Sequence, residues 1–450
     1  MRTPRWALAI TSVAFFMVAL DALVVTTALP AIGRGLHAGL ATLQWTVNSY
    51  GLTYAVGIIT AAALGDRFGR RRVFTAGLMV FTAASAACAL APGVSWLLAA
   101  RAVQGFGAAA VMPLSLTILT SAFPAARRGA IVGVWGGLGG LAVAGGPLIG
   151  GAVTEGLDWQ WIFWLNVPIG LVATALARTR LPESHGGRGP LDVPALVLLG
   201  AGALAVVWGL TRAGEIGWLA GETLAALTAG ALLTAGFVAW ERRAAAPMLP
   251  PRLFRVRDFA AANVTALLMI AALTGAVFLT AQYCQVVLGY SPLVTGLRLL
   301  PWTATPLVVA PLAGRLSDTV GRRPILATGM LVQAAGLAWF AYEPDAFVPA
   351  LLTAGIGVSM AIPTAAAAVL GAVAPQDAGK ASGTNSTMQR LGAVLGVAVV
   401  TAVLSGGFAE GFRPALLTAA GLSLLGALTA LALRRKTAPM PTCVPEPAHA

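Results

Sequence analysis

Fourteen apolar runs constrain this chain more than any other feature, each near the ~20 residues that a helix needs to cross a hydrocarbon core. They lie near 7–30, 42–64, 73–92, 95–121, 129–153, 161–178, 192–211, 218–240, 260–288, 294–314, 325–341, 346–371, 383–405 and 414–433. None alternates with the period of two that a barrel strand requires. All are rich in Ala, Leu and Gly. The expected class is an all-α polytopic membrane protein. Only 10% of the 450 residues are charged and 58% are hydrophobic, whereas soluble domains carry about 25% charged residues. An ordinary soluble enzyme, a disordered chain and a nucleic-acid-binding module are thereby excluded.

The basic residues orient the spans. With a cytoplasmic N-terminus and alternating helices, Arg34, Arg212 and Arg413 fall outside the cell. Arg101, Arg298 and Arg390 fall within spans, and every other Arg and Lys falls on the cytoplasmic side. This asymmetry is the positive-inside pattern, and it places both termini in the cytoplasm of a cell inner membrane. It also accounts for the formal charge of +13 without nucleic acid, because these cations face anionic lipid. Trp45, Trp96, Trp159, Trp161, Trp218 and Trp302 fall near outer ends, Trp6 and Trp240 near inner ends, as interfacial belts do. Arg2, Arg5 and the first run resemble a signal peptide, but the run contains Asp21 and ends in Leu29-Pro30, which is no small-residue cleavage site.

Other chemistries find no support. Cys88, Cys284 and Cys443 are scattered, as are His37, His185 and His449, so neither a disulfide framework nor a metal site is expected. The only Gly-Lys pair, Gly379-Lys380, is followed by Ala381 and lacks the glycine a P-loop would need at Ala374. No cofactor is expected, and ATP hydrolysis is not the energy source.

One segment recurs. Leu64-Gly65-Asp66-Arg67-Phe68-Gly69-Arg70-Arg71-Arg72 is echoed by Leu316-Ser317-Asp318-Thr319-Val320-Gly321-Arg322-Arg323-Pro324. Each copy follows the second span of a six-span unit, and their separation exceeds such a unit by about two helices. Two parallel six-helix units with two helices between them are therefore expected: 1–180, 181–258 and 259–436, followed by a disordered cytoplasmic tail at 437–450. Repeats of this kind are typical of secondary transporters, whose site lies between the halves near mid-membrane. Gly69 and Gly321 permit a tight turn. Arg67, Arg70, Arg71, Arg322 and Arg323 favour helix C-terminal carbonyls, and Asp66 and Asp318 can pair with them or cap the next helix. These residues are expected to form conformational switch loops, although membrane anchoring alone would use the same arginines.

Residues 61–73 resemble the loop 2–3 signature G-x-L-a-D-R-x-G-R-K of the major facilitator superfamily, with Ala62 in place of its first glycine. LLAARAVQGFGAA at 97–109 resembles the fourth-helix signature with its intramembrane arginine. AVAGGPLIGG at 142–151 resembles the fifth-helix antiporter signature, with Ala142 for its first glycine. LDALVVTTALP at 20–30 resembles the first-helix signature of the 14-helix drug:proton antiporter branch. WQWIFWLNVPIG at 159–170 adds support, with Gln160 where that branch usually has Arg, and Gln389-Arg390-Leu391-Gly392 reverses the branch's frequent R-Q-x-G. The resemblance implies a major facilitator fold and a monomeric, proton-gradient-driven exporter of amphipathic small molecules that works by alternating access. It implies that the first and fourth helices line the cavity of the first half, and that the fourth-helix arginine serves proton coupling. It also implies that the fifth helix, through Gly146, Pro147, Gly150 and Gly151, packs on its counterpart in the other half and limits proton leak.

Asp21 is the one acidic residue placed deep in a span. Asp at a helix centre costs about 2.5–3.5 kcal/mol on insertion scales. Burial disfavours its charged form and a nearby cation favours it, so it is either a proton carrier or an interhelical hydrogen-bond acceptor. At 1.5 Å per residue it lies about 12 Å below the outer end of its run, and Arg101 about 9 Å below the same face. Arg101 is thus its natural partner. Pro147 removes a helix bond and should bend its helix, and Gly136–Gly140 repeats the small-x-x-x-small spacing. Arg298 is near an outer end and can snorkel, whereas Arg390 can face a cavity. Asn48, Tyr50, Tyr54, Gln104, Gln282, Gln285, Gln333, Asn385 and Gln389 are candidate cavity residues, though lone amides in spans equally serve helix contacts. Uptake of a metabolite, export of an endogenous product or a self-made antibiotic, and a polytopic membrane enzyme are the other classes. The enzyme lacks any nucleophile–His–acid set or metal cluster. The Ala, Gly and Arg bias suggests a bacterial source.

Overall fold

The computed structural model describes residues 3–186, 192–244, 247, 251–374, 377–404 and 408–434. The tail at 437–450 lies outside the described residues, as do Arg2, Arg188, Arg435 and Lys436 and the side chains of Asp318, Arg127 and Arg128. A helix occupies each apolar run: α1 Thr3–Leu36, α2 Leu40–Phe68, α3 Arg70–Ala89, α4 Val94–Ala122, α5 Ala125–Gly156, α6 Trp161–Arg180, α7 Val193–Ile216 and α8 Gly221–Glu241. Then follow α9 Arg257–Val287, α10 in two pieces (Pro292–Thr303 and Thr305–Val320), α11 Arg322–Tyr342, α12 Phe347–Gly371, α13 Ala378–Ala402 and α14 Phe408–Leu431. Among the described residues, eleven helices are long and apolar enough to cross a membrane, or up to twelve if one bent pair in α2 counts as a span. The chain is a multi-pass membrane protein. The first half of α13 is unusually polar for a span, carrying Lys380, Ser382, Thr384, Asn385, Ser386, Thr387, Gln389 and Arg390.

Packing groups the helices. In the first part of the chain α1 packs on α4, α5 and α6, α2 on α4, and α3 on α4 and α6. In the last part α9 packs on α13 and α14, and α11 on α12 and α14. One apolar core draws only on residues between Leu253 and Leu433, and another only on residues between Ala7 and Leu181. Lipid offers no hydrophobic drive for such packing, so close approach through small residues carries it. A Cβ at Gly77 would stand 3.1 Å from the carbonyl of Gly107, and one at Gly329 would stand 2.8 Å from that of Gly357. Gly77 and Gly329 each lie about two turns beyond a loop glycine. Those loop glycines, Gly69 and Gly321, have φ of 108° and 105°, a region that L side chains avoid. The repeated motif is thus a repeated backbone geometry.

The α7–α8 pair sits against the seam between these groups. α7 contacts α2 and α13, and Ala195 and Leu199 pack with Ala55 and Leu391. Besides the two-piece α10 and the bent α2, the first and sixth runs depart from the simple helix expected of them. The first run was expected to end at Pro30, but α1 continues through it to Leu36. The sixth run is broken at Leu165, between Trp161–Trp164 and Asn166–Arg180.

Candidate functional site

A buried polar cluster forms where α1, α3, α4 and α6 meet. The Asp21 and Arg101 side chains are each 1% exposed, with Arg101 Nη1 2.7 Å from Asp21 Oδ2. The other carboxylate oxygen accepts from Gln104 Nε2 at 2.9 Å and Asn166 Nδ2 at 2.8 Å. Gln104 Nε2 also donates to Ser85 Oγ at 2.8 Å. Arg101 donates further to Gln104 Oε1 at 2.7 Å and to the carbonyl of Thr46 at 3.1 Å, and its guanidinium lies 4.1 Å from the Tyr50 ring centre.

Three donors therefore converge on the two oxygens of one carboxylate. A protonated carboxyl would bring its own O–H into that shell and have to displace a donor. Arg101 keeps three other partners when Asp21 is neutral. Asp21 thus ties α1 to α4 and α6 through one carboxylate.

The pairing of Asp21 with Arg101 matches the depth argument, although α1 overshoots its expected end by a turn and a half. Gln104, expected to line a cavity, is instead part of this cluster. Asn166 and Ser85 were not singled out. Asn166 falls in the quoted WQWIFWLNVPIG segment just after the break at Leu165, which could have flagged it. Ser85 carries no signal, being one small polar residue in an otherwise ordinary helix.

A second group spans the two halves. Arg390 of α13 lies 4.3 Å from the ring centre of Tyr54 on α2, with Nη2 3.8 Å from Met112 Sδ on α4. The Tyr54 hydroxyl is 2.7 Å from the same sulfur, and Tyr54 meets Tyr50 edge to face with centroids 5.7 Å apart. Asn48, Gln333 and Asn385 are buried and have side-chain atoms without a hydrogen-bond partner, and Gln389 is half-buried on α13. Arg298 is exposed over the rings of Tyr290 and Phe347.

The halves also meet at the face opposite the arginine-rich loops. Gln282 Nε2 donates to the carbonyl of Thr26 at 3.4 Å, and Gln285 Nε2 to that of Thr27 at 2.8 Å. Pro30 has no N–H to give the Thr26 carbonyl, so this acceptor is free for the other half. The proline that was expected to stop α1 thus supplies part of a latch. These two glutamines hold α1 and α9 together rather than lining an open cavity. Each such bond contributes about 0.5–1.5 kcal/mol. Replacing Gln282 and Gln285 together with Leu should therefore shift the open-to-closed ratio at this face by about 5- to 150-fold. Distances between spin labels at the exposed Leu157 and Leu288 would read it, with the long-distance population growing in the variant.

The fifth-helix motif divides between two neighbours. A Cβ at Gly146 would stand 2.6 Å from Leu23 Cβ, and one at Gly150 2.6 Å from the Val24 carbonyl, both on α1 of the same half. Gly151 lies instead against the Pro292 carbonyl, and Gly296 against the carbonyl of Pro147, across the halves.

In the first arginine-rich loop Asp66 pairs with Arg70 at 2.8 Å rather than capping α3. Glu183, not singled out in the sequence, accepts the Arg71 N–H at 2.9 Å and so caps α3. Gly69 abuts Glu183, and Arg67 lies over the Phe68 ring. In the second loop Arg322 lies against Gly371 at the end of α12, and Arg323 is half-buried. A separate recess of about 520 Å³ beside Arg34 and Trp159 lies about 20 Å from Asp21 along α1.

Residues 11–305 and 264–448 match the family model described as Major Facilitator Superfamily. The chain is 35% identical over 419 residues to the multidrug resistance protein Stp of Mycobacterium tuberculosis, covering 92% of this chain and 78% of that protein. It is 35% identical over 401 residues to the tetracenomycin C resistance and export protein of Streptomyces glaucescens, covering 88% and 74%. Among solved structures, a peptide transporter crystallised with sulfate superposes with a TM-score of 0.71 at 17% identity, covering 95% of this chain and 94% of the other.

Proposed function

This chain belongs to the major facilitator superfamily, and we propose that it is a proton-driven exporter of amphipathic small molecules with fourteen spans. The three-donor shell around Asp21 is the observation that carries this reading. The names of its relatives, which are resistance and export proteins, support the direction of transport and the class of cargo. The positive-inside pattern supports a cytoplasmic arginine-rich face in a bacterial inner membrane. The separate apolar cores support two six-helix units at 1–180 and 259–436, with 181–258 inserted between them.

In this mechanism the described state, latched at the outer face by Gln282 and Gln285, receives substrate from the cytoplasm while Asp21 is ionised. Reorientation exposes the Asp21 cluster to the outside. A proton then binds Asp21, a donor withdraws, and substrate leaves. Return to the inward-facing state releases the proton to the cytoplasm. One charge crossing 100 mV supplies about 2.3 kcal/mol, enough for about a 50-fold gradient of a neutral substrate. Gly69 and Gly321 mark the turns about which the switch loops rearrange.

Inside-out vesicles energised to an acidic lumen test the reading with a panel of lipophilic antibiotics and dyes. The expected result is substrate-evoked alkalinisation of the lumen, abolished by an uncoupler. Substrate accumulation that persists after the proton gradient is collapsed would refute it. A narrow-substrate exporter of a self-made antibiotic is the second reading, favoured by the relative named for both resistance to and export of one compound. A response to a single compound in the panel would select it.

A further inference from the structure

We propose that Arg390 is the docking point for the anionic group of an acidic amphipathic substrate, held between the Tyr54 ring and the Met112 sulfur. The inference rests on the exporter reading and assigns a charge to its cargo.

It follows from a census of the charges inside the spans. Asp21 and Arg101 cancel one another in a fully buried pair. Arg298 is exposed over two rings. Arg390 remains, half-buried between the halves, and no carboxylate among the described residues stands within ion-pair distance of it. An unmatched intramembrane cation is costly and marks a functional position. Its present partners are the Tyr54 side chain and a thioether, which satisfy few of the five N–H donors of a guanidinium. The rigid fork that is left over fits a carboxylate, sulfonate or phenolate.

The surroundings suit the rest of such a molecule. Tyr54 offers an apolar face, and Met112 is an adaptable apolar contact. On α13 Thr387 Oγ1, one turn before Arg390, is buried without a hydrogen-bond partner, so a polar group on a substrate would find an unused hydroxyl there. A cationic amphiphile would meet Arg390 with no carboxylate of the described residues within ion-pair distance to offset it.

The site is also joined to the Asp21 cluster. Arg101 rests on Tyr50, Tyr50 meets Tyr54 edge to face, and Arg390 rests on Tyr54. An anion that draws Arg390 off Tyr54 therefore disturbs the ring stack against which the partner of Asp21 is packed.

Three probes with one apolar body test this: 1-naphthylacetate, its methyl ester and 2-(1-naphthyl)ethylamine. Equilibrium dialysis against the purified full chain should show the acid binding at least ten times more tightly than the ester, with the amine weakest. Arg390→Gln should lower the acid-to-ester affinity ratio at least tenfold. Arg390→Lys should restore most of it, and this variant guards against misfolding in the first. Arg390→Glu should reverse the preference toward the amine. Equal binding of acid and ester by the wild type, an unchanged ratio in Arg390→Gln, or no saturable binding of the acid would each overturn the proposal. In energised vesicles, proton exchange evoked by the ester or amine but not the acid would remove this site and leave the exporter reading intact. Arg390-dependent binding of the acid without proton movement would do the opposite.

Discussion

Asp21→Asn should leave a folded protein that no longer accumulates substrate against a gradient, whereas Arg101→Leu should lose most of the folded protein. The asymmetry comes from the hydrogen-bond shell. An amide in place of the Asp21 carboxylate would keep one acceptor but present a donor where Gln104, Asn166 and Arg101 all donate. One of these groups goes unsatisfied, at about 1–3 kcal/mol. Arg101 retains the Thr46 carbonyl, Gln104 Oε1 and the face of Tyr50. Arg101→Leu instead strands a buried carboxylate with two amide donors, and breaking a buried pair in that way costs about 3–5 kcal/mol. The double variant Asp21→Asn/Arg101→Leu buries no charge and should unfold at a higher temperature than Arg101→Leu alone, yet remain inactive. Thermal unfolding in detergent measures the first effect. Vesicle accumulation measures the second, falling from a gradient of up to about 50-fold for one proton at 100 mV to none. A folded Asp21→Asn protein that still concentrates substrate would remove Asp21 as the proton carrier.

Gly151→Ala and Gly296→Ala should each cut export by about one to two orders of magnitude by holding the halves apart at the latched face. Their missing side chains let the backbones of α5 and α10 touch, Gly151 against Pro292 and Gly296 against Pro147. A methyl group there overlaps a carbonyl oxygen on the facing helix, which cannot swing aside as a side chain would. Overpacking of this kind costs about 1–3 kcal/mol, and separating the halves relieves it. Labels at Leu157 and Leu288 should therefore report a larger open population in both variants. Cys88 and Cys284 are buried and should not compete for the label, and Cys443→Ser removes the third cysteine. Gly146→Ala and Gly150→Ala press on α1 within the same half and should lower the unfolding temperature without moving the label distance. If all four variants lowered stability and none moved the distance, the division of the motif between two neighbours would fail.

Much of this was legible because lipid is an exacting solvent. A span needs a long apolar run, so the helices could be placed from sequence, although among the described residues eleven or twelve rather than fourteen are long and apolar enough to cross a membrane. A lone Asp and a lone Arg at similar depth in hydrocarbon have few alternatives to meeting. The repeated Asp–x–x–Gly–Arg–Arg loops pointed to two related turns, and the matching positive φ at Gly69 and Gly321 shows that relation in the backbone. What stayed hidden depends on the facing of single residues. Depth along a helix does not say which side a glutamine occupies, so Gln282 and Gln285 read as cavity residues rather than as donors to α1. Pro30 read as a terminus because its local effect is to remove one bond, and the group that fills the vacancy lies more than two hundred residues away in sequence. Ser85 and Glu183 had no neighbours in sequence to give them meaning. Asn166 owes its place to a helix break at Leu165 that apolar periodicity does not announce.

The central claim is that substrate and proton compete through Asp21. Its most direct test is proton release from purified protein in weakly buffered detergent on addition of a transported compound. The account predicts proton release on binding, at most one proton per molecule bound, and none from Asp21→Asn. Equal release from wild type and variant, or no release from a wild type that binds the compound, would contradict it.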